Sequence, residues 1–81
     1  VPFVTGATVS IGSRLREERK RLGLTQEALG QLGSVRRQAQ LLYEKDLFVP
    51  DANYLAAIAA AGVDVLYVIT GRKEGADVVR E

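Results

Sequence analysis

The chain has 81 residues, a formal net charge of +1, and neither cysteine nor histidine. Their absence removes disulfides, thiolate zinc sites, the commonest metal ligand and general base, and every Ser-His or Cys-His nucleophile, so no enzyme, metal site or cofactor is expected. The charge is unevenly spread: residues 10–45 hold eight basic against four acidic side chains, a net +4, and the remainder is net −3. A length of 81 residues allows one small core, and the 47% hydrophobic fraction fits a folded soluble domain.

In chain order, residues 1–9 lack a helical period and contain Pro2 and Gly6. They read as an arm, flexible or forming a short edge strand through Phe3 and Val4. Ser10 is placed to cap a first helix running to Leu22, with Ile11, Leu15 and Leu22 on its apolar stripe and Arg16 and Lys20 opposite. Gly12 is expected to weaken its first turn, and Glu17 and Glu18 to pair with Arg14 and Arg21. Gly23 supplies a left-handed helix end. Thr25 caps a second helix from Gln26, which Gly33-Ser34 stops after seven residues.

A third helix is expected from about Arg36 through Lys45. Spacing puts Val35, Ala39, Leu42 and Tyr43 on its inner side, Arg37, Gln40 and Leu41 outward, and Arg36 and Gln38 on the rims. Leu47-Phe48-Val49 is an apolar connector that either covers the core or serves a partner. Pro50 suits the first position of a fourth helix over Asp51 to Ala61, whose Tyr54, Leu55 and Ile58 join the core with Tyr43. Gly62 and Val63 close it, and Asp64 caps a last helix, Val65 to Ile69, ended by Thr70-Gly71. VDVLYVIT also reads as a buried strand, but its one available partner is the arm, so five helices are expected. Residues 10–71 then form the domain and 72–81 a charged, frayed tail.

Two short helices joined by a glycine-containing turn cross steeply and leave the second free to enter a DNA major groove. In TQEALGQLGSVRRQAQLLYEKD the outward side of that second helix carries arginine and glutamine. Their geometries match guanine O6/N7 and adenine N6/N7. Gln26, in the first turn of the preceding helix, sits where its amide and free backbone N–H groups can hold a phosphate.

On RLREERKRLGLTQEAL, Tyr43-Glu44-Lys45, PDANYLAAIAAAGV and LYVITGR, the chain from about Gly12 to Gly71 resembles the Cro/repressor-type helix-turn-helix family of the xenobiotic-response-element class. The resemblance implies an all-α, five-helix lambda-repressor-like domain. It matches Gln26 to the family's phosphate-clamping glutamine, Arg37 and Gln38 to its first base-reading positions, and Leu41 to a later one. Arg36 and Gln40 complete the candidate base contacts; Arg37 and Leu41 serve under either register of the helix, whereas Arg36, Gln38 and Gln40 depend on it, and Thr25 and Lys45 join Gln26 as candidate phosphate contacts. Members of the family commonly dimerise through the last helix, so the resemblance implies a homodimer interface at Val65, Tyr67 and Val68, with Tyr67 and Val68 equally readable as core.

Three departures stand out. Gly30 replaces the usual alanine between helices 2 and 3, and Ser34 occupies the turn-glycine position with Gly33 one place early. Gln40 fills the normally apolar middle of the recognition helix, and a one-residue rotation burying Ala39 and Leu42 would turn it toward DNA.

The expectation is a cytoplasmic, nucleoid-associated DNA-binding repressor of phage or prophage type, acting as a homodimer on a pseudo-palindromic operator. The alternatives are an antitoxin that binds both operator and toxin, and a protein-interaction domain without DNA binding. No apolar run reaches the roughly 18 residues of a membrane span, and the first ten residues lack the basic and apolar regions of a signal peptide.

Overall fold

Four side-chain caps set where helices begin. Ser10 accepts the Ser13 N–H in a reciprocal capping box, Thr25 the Ala28 N–H, Asp51 the Tyr54 N–H and Asp64 the Tyr67 N–H. Each such cap contributes about 1 kcal/mol. The computed structural model describes residues 10–73, so the expectations for the arm at 1–9 and for the tail beyond 73 lie outside the described residues. Within them the chain forms α1 (Ile11–Arg21), α2 (Gln26–Leu32), α3 (Arg37–Glu44), α4 (Ala52–Ala60) and α5 (Val65–Thr70), with no strand. VDVLYVIT therefore resolves as helix.

The first four helices end alike. Leu24 donates its N–H to Arg19 O at 3.1 Å, Val35 to Gly30 O at 2.8 Å, Leu47 to Leu42 O at 3.0 Å and Val63 to Ile58 O at 3.1 Å. Each is the long-range bond of a Schellman ending, with the preceding residue left-handed. Gly23 and Gly62 take that position as expected, but Ser34 (φ 66) and Asp46 (φ 62) take it at α2 and α3.

The core gathers Leu15, Leu29, Tyr54, Ile58, Val63 and Val68, with Ile11, Leu22, Leu24, Val35, Tyr43 and Leu55 packed against it. α2 lies on α3, and α1 spans from α3 to α5. Two glycines permit this closeness. A Cβ on Gly12 would sit 2.6 Å from the carbonyl oxygens of Tyr43 and Glu44, and the Gly12 N–H donates to Asp46 Oδ1 at 2.8 Å. Gly12 is thus the point where α1 meets the end of α3, not a weak first turn. A Cβ on Gly33 would collide with the Tyr54 ring, which explains why a glycine precedes the left-handed position.

Several expectations are corrected. Pro50 lies before the cap Asp51 and is buried, rather than opening α4. Glu18 does pair with Arg21 at 2.7 Å, but Glu17 accepts the Tyr67 hydroxyl, and Arg14 donates to Val68 O and Ile69 O at the end of α5. A cation beside those carbonyls suits the helix dipole. Leu47, Phe48 and Val49 are exposed and do not cover the core.

Tyr67 and Val68, readable as core or as interface, take the core reading. Val68 belongs to the core cluster and Tyr67 is buried, so neither is available to a second subunit. The helical period turns Leu66 and Ile69 outward instead, 55% and 46% exposed, with Val65 partly buried beside them.

Candidate nucleic-acid interface

α3 begins without a side-chain cap, and its first residues Arg36, Arg37 and Gln38 are all exposed. Among the described residues neither arginine makes a salt bridge. They border an open cleft of about 310 Å³ between α2 and α3, lined also by Glu27, Gln31 and Val35. An exposed guanidinium carries paired N–H donors of the kind that suit guanine edges and phosphates.

The inner side of α3 differs from the sequence expectation. Gln40, expected outward as a candidate base contact, is 0% exposed, and Glu44 is buried one turn later. The Gln40 amide is used at both ends: its Nε2 donates to Glu44 Oε2 at 2.7 Å, and its Oε1 accepts the hydroxyl of Tyr54 from α4. Turning Gln40 toward solvent would strand that hydroxyl in the core, an expense of about 1–3 kcal/mol per unsatisfied group. Gln40 is therefore an internal residue in the family's usual register, and the rotation that buries Ala39 and Leu42 does not occur. Leu42, expected inside, is partly buried but does not pack on the core cluster, and neither does Leu41.

Glu44 collects the polar interior. Arg19 of α1 donates to it through Nε at 2.7 Å and Nη2 at 3.0 Å, and Gln26 of α2 reaches its Oε1 at 3.3 Å. Burial opposes ionisation of Glu44, but hydrogen bonds from Arg19, Gln40 and Gln26, with the Arg19 charge, outweigh it and hold the carboxyl below its ordinary 4.5. Burial pushes the Tyr54 phenol well above its ordinary 10.0, against the effect of its bond to Gln40. No buried side-chain polar atom among the described residues lacks a partner.

Gln26 is thereby held at the entrance to α2, half-buried, with its amide Nε2 donating to Glu44. Thr25 and Lys45 are exposed, and the Thr25 oxygen is occupied as the α2 cap. The structure thus brings Arg36, Arg37, Gln38, Leu41 and Lys45 onto the accessible part of α3 and its flanks, with Gln26 and Thr25 beside them, and removes Gln40. The residue missed in the sequence is Glu44, whose acidic type hid an internal role. The signal for Glu44 was its spacing of four from Gln40.

Two short helices meeting through a tight turn, with α1 across them and α4–α5 closing the core, define a lambda-repressor-like helix-turn-helix domain. No family model matches the chain, and no curated protein does. Among solved structures, it is similar to the P22 c2 repressor protein in complex with synthetic operator 9T in the presence of Tl+, at 30% identity and a TM-score of 0.72, covering 80% of this chain and 100% of that one. It is likewise similar to the solution structure of the P22 c2 repressor DNA-binding domain, at 30% identity and a TM-score of 0.70, covering 82% and 88% respectively. The chain belongs to the Cro/repressor-type helix-turn-helix family.

Proposed function

We propose that this protein is a sequence-specific, double-stranded DNA-binding transcriptional repressor of phage type, within the xenobiotic-response-element class of its family. The observation that carries this reading is the start of α3, where Arg36 and Arg37 stand exposed without an acidic partner. Two cations at a helix N-terminus oppose its dipole by a few tenths of a kcal/mol each, so folding gives no reason for them. A polyanion does. The likeness to a repressor determined on its operator supports the same conclusion.

In the mechanism, α3 enters the major groove, Arg36, Arg37, Gln38 and Leu41 meet base edges, and Gln26, Thr25 and Lys45 hold phosphates on either side. A homodimer sets two copies of α3 in successive grooves about 34 Å apart on a pseudo-palindromic operator. Its contact surface is the exposed Leu66 and Ile69 of α5, with Val65 beside them. Repression follows from occupying the operator, in the cytoplasm at the nucleoid, and needs no catalytic group. Among the described residues no helix is long and apolar enough to cross a membrane.

Selection of bound sites from a randomised duplex pool at two salt concentrations tests this. The expected product is a palindrome with half-sites one helical turn apart, whose affinity falls as salt rises. Recovery of no preferred sequence overturns the reading. Arg37→Ala is expected to weaken binding by about 1–3 kcal/mol and relax one base pair, whereas Gln26→Ala weakens all sites alike. The exposed Leu47-Phe48-Val49 connector supports a second reading, an antitoxin that binds its operator and a small toxin, which copurification of that partner from the native host would favour.

A further inference from the structure

We infer that Leu41 and Leu42 form an apolar reading pair for thymine C5-methyl groups in the operator half-site, a deepening that rests on the operator-binding reading above. Gln38, Leu41, Leu42 and Lys45 follow one another at i, i+3, i+4 and i+7 and so share one stripe of α3. Gln40 and Glu44 hold the buried side of the same helix. Leu42 lies two residues from Gln40, about 200° round the helix, and so faces away from the core.

The structure supports this placement independently. Leu41 and Leu42 keep partial exposure, and neither packs on the apolar cluster that engages Val35 and Tyr43 from the same segment. Two leucines on a surface stripe bordered by Gln38 and Lys45, with Arg36 and Arg37 at its head, call for an occupant that is anionic around its edge and locally apolar within. A major groove containing thymine meets both demands: phosphates face the cations, and thymine places a methyl group among the base edges. Cytosine and the purines offer no such group there. In this arrangement Arg37 and Gln38 read the hydrogen-bonding edges nearest the start of α3, and the leucine pair reads methyl groups further along the same half-site.

The test substitutes uracil for thymine, one position at a time, in the duplex recovered by selection, because this removes a methyl and keeps the hydrogen-bonding edge. Binding is expected to weaken about fourfold at each methyl covered by a leucine, the factor given by losing one buried methyl-sized group. Leu42→Ala and Leu41→Ala, each confirmed folded by circular dichroism, are expected to bind the thymine duplex more weakly and to lose the thymine–uracil difference at the position each one covers. Selective binding with no thymine–uracil difference anywhere, or a difference that survives both alanine variants, overturns the leucine pair and leaves operator binding standing. Failure to bind any duplex selectively overturns the operator-binding reading instead, and the pair with it.

Discussion

Ser34 and Gly33 are neighbours at the end of α2, and substitutions there are expected to act with opposite signs. Ser34 holds φ 66, is exposed, and makes no side-chain hydrogen bond among the described residues. A non-glycine residue in the left-handed region costs about 1–2 kcal/mol, and glycine's extra freedom in the unfolded chain returns about 0.5–1 of that. Ser34→Gly is therefore expected to stabilise the protein by about 0.5–1 kcal/mol, or roughly 3–6 °C in Tm. At Gly33 the added Cβ of alanine meets Tyr54, and that ring cannot easily swing aside. It is buried, packs edge-on against Tyr43 at 4.8 Å between centroids, and is tied through its hydroxyl to Gln40. Overpacking of this kind costs about 1–3 kcal/mol, so Gly33→Ala is expected to destabilise by about that amount. Urea unfolding followed by circular dichroism, compared at constant m, reads both changes. An unchanged midpoint for Ser34→Gly would refute the strain argument, and a Gly33→Ala midpoint at or above wild type would refute the packing argument.

Three further outcomes follow from the interior and from α5. Arg19→Met leaves the Glu44 carboxylate buried without its cation and is expected to destabilise by about 3–5 kcal/mol in the same urea assay. Glu18, held below its ordinary 4.5 chiefly by its bond from Arg21 against the effect of burial, and Glu44 both bind fewer protons in the folded state than in the unfolded one. Their stabilisation is therefore present above about pH 4.5 and is lost as pH falls through their lower folded values. Urea midpoints from pH 7 to pH 3 should decline below that point, more steeply in wild type than in Glu44→Gln. Leu66→Asp is expected to change stability by no more than about 0.5 kcal/mol, since the side chain is exposed, while weakening self-association measured by sedimentation.

Much of the scaffold is legible in the sequence because its punctuation is local. Ser10, Thr25, Asp51 and Asp64 mark helix starts through their own side chains, and Gly23 and Gly62 mark ends through their own backbones. What is not legible depends on partners distant in sequence. Gln40 reads as a surface residue until Tyr54, 14 positions away, supplies a buried hydroxyl to its carbonyl oxygen. Gly12 reads as a helix breaker until the end of α3, more than 30 residues later, takes up the space its side chain would fill. Tyr67 and Val68 are apolar enough for either a core or an interface, and their position on a six-residue helix leaves the choice to packing against α1. Ser34 and Asp46 adopt a glycine conformation that their residue types disfavour, so the ends of α2 and α3 follow from the chain that succeeds them.

The polar cluster around Glu44 separates two kinds of information carried by one helix. Arg19, Gln26 and Gln40 converge on the carboxylate from α1, α2 and α3, and Gln40 extends the cluster to Tyr54 of α4. Hydrogen bonds are directional, so this cluster accepts α3 at one rotation, whereas a greasy seam of similar size would tolerate several. The orientation of the helix is thus fixed from within, chiefly by Arg19, Gln40, Glu44 and Tyr54, none of which is a candidate DNA contact. The side chains proposed to read DNA, Arg36, Arg37, Gln38, Leu41 and Leu42, take no part in that lock. Such a scaffold can acquire a new target by surface substitution alone, its frame of reference staying fixed while the message is rewritten.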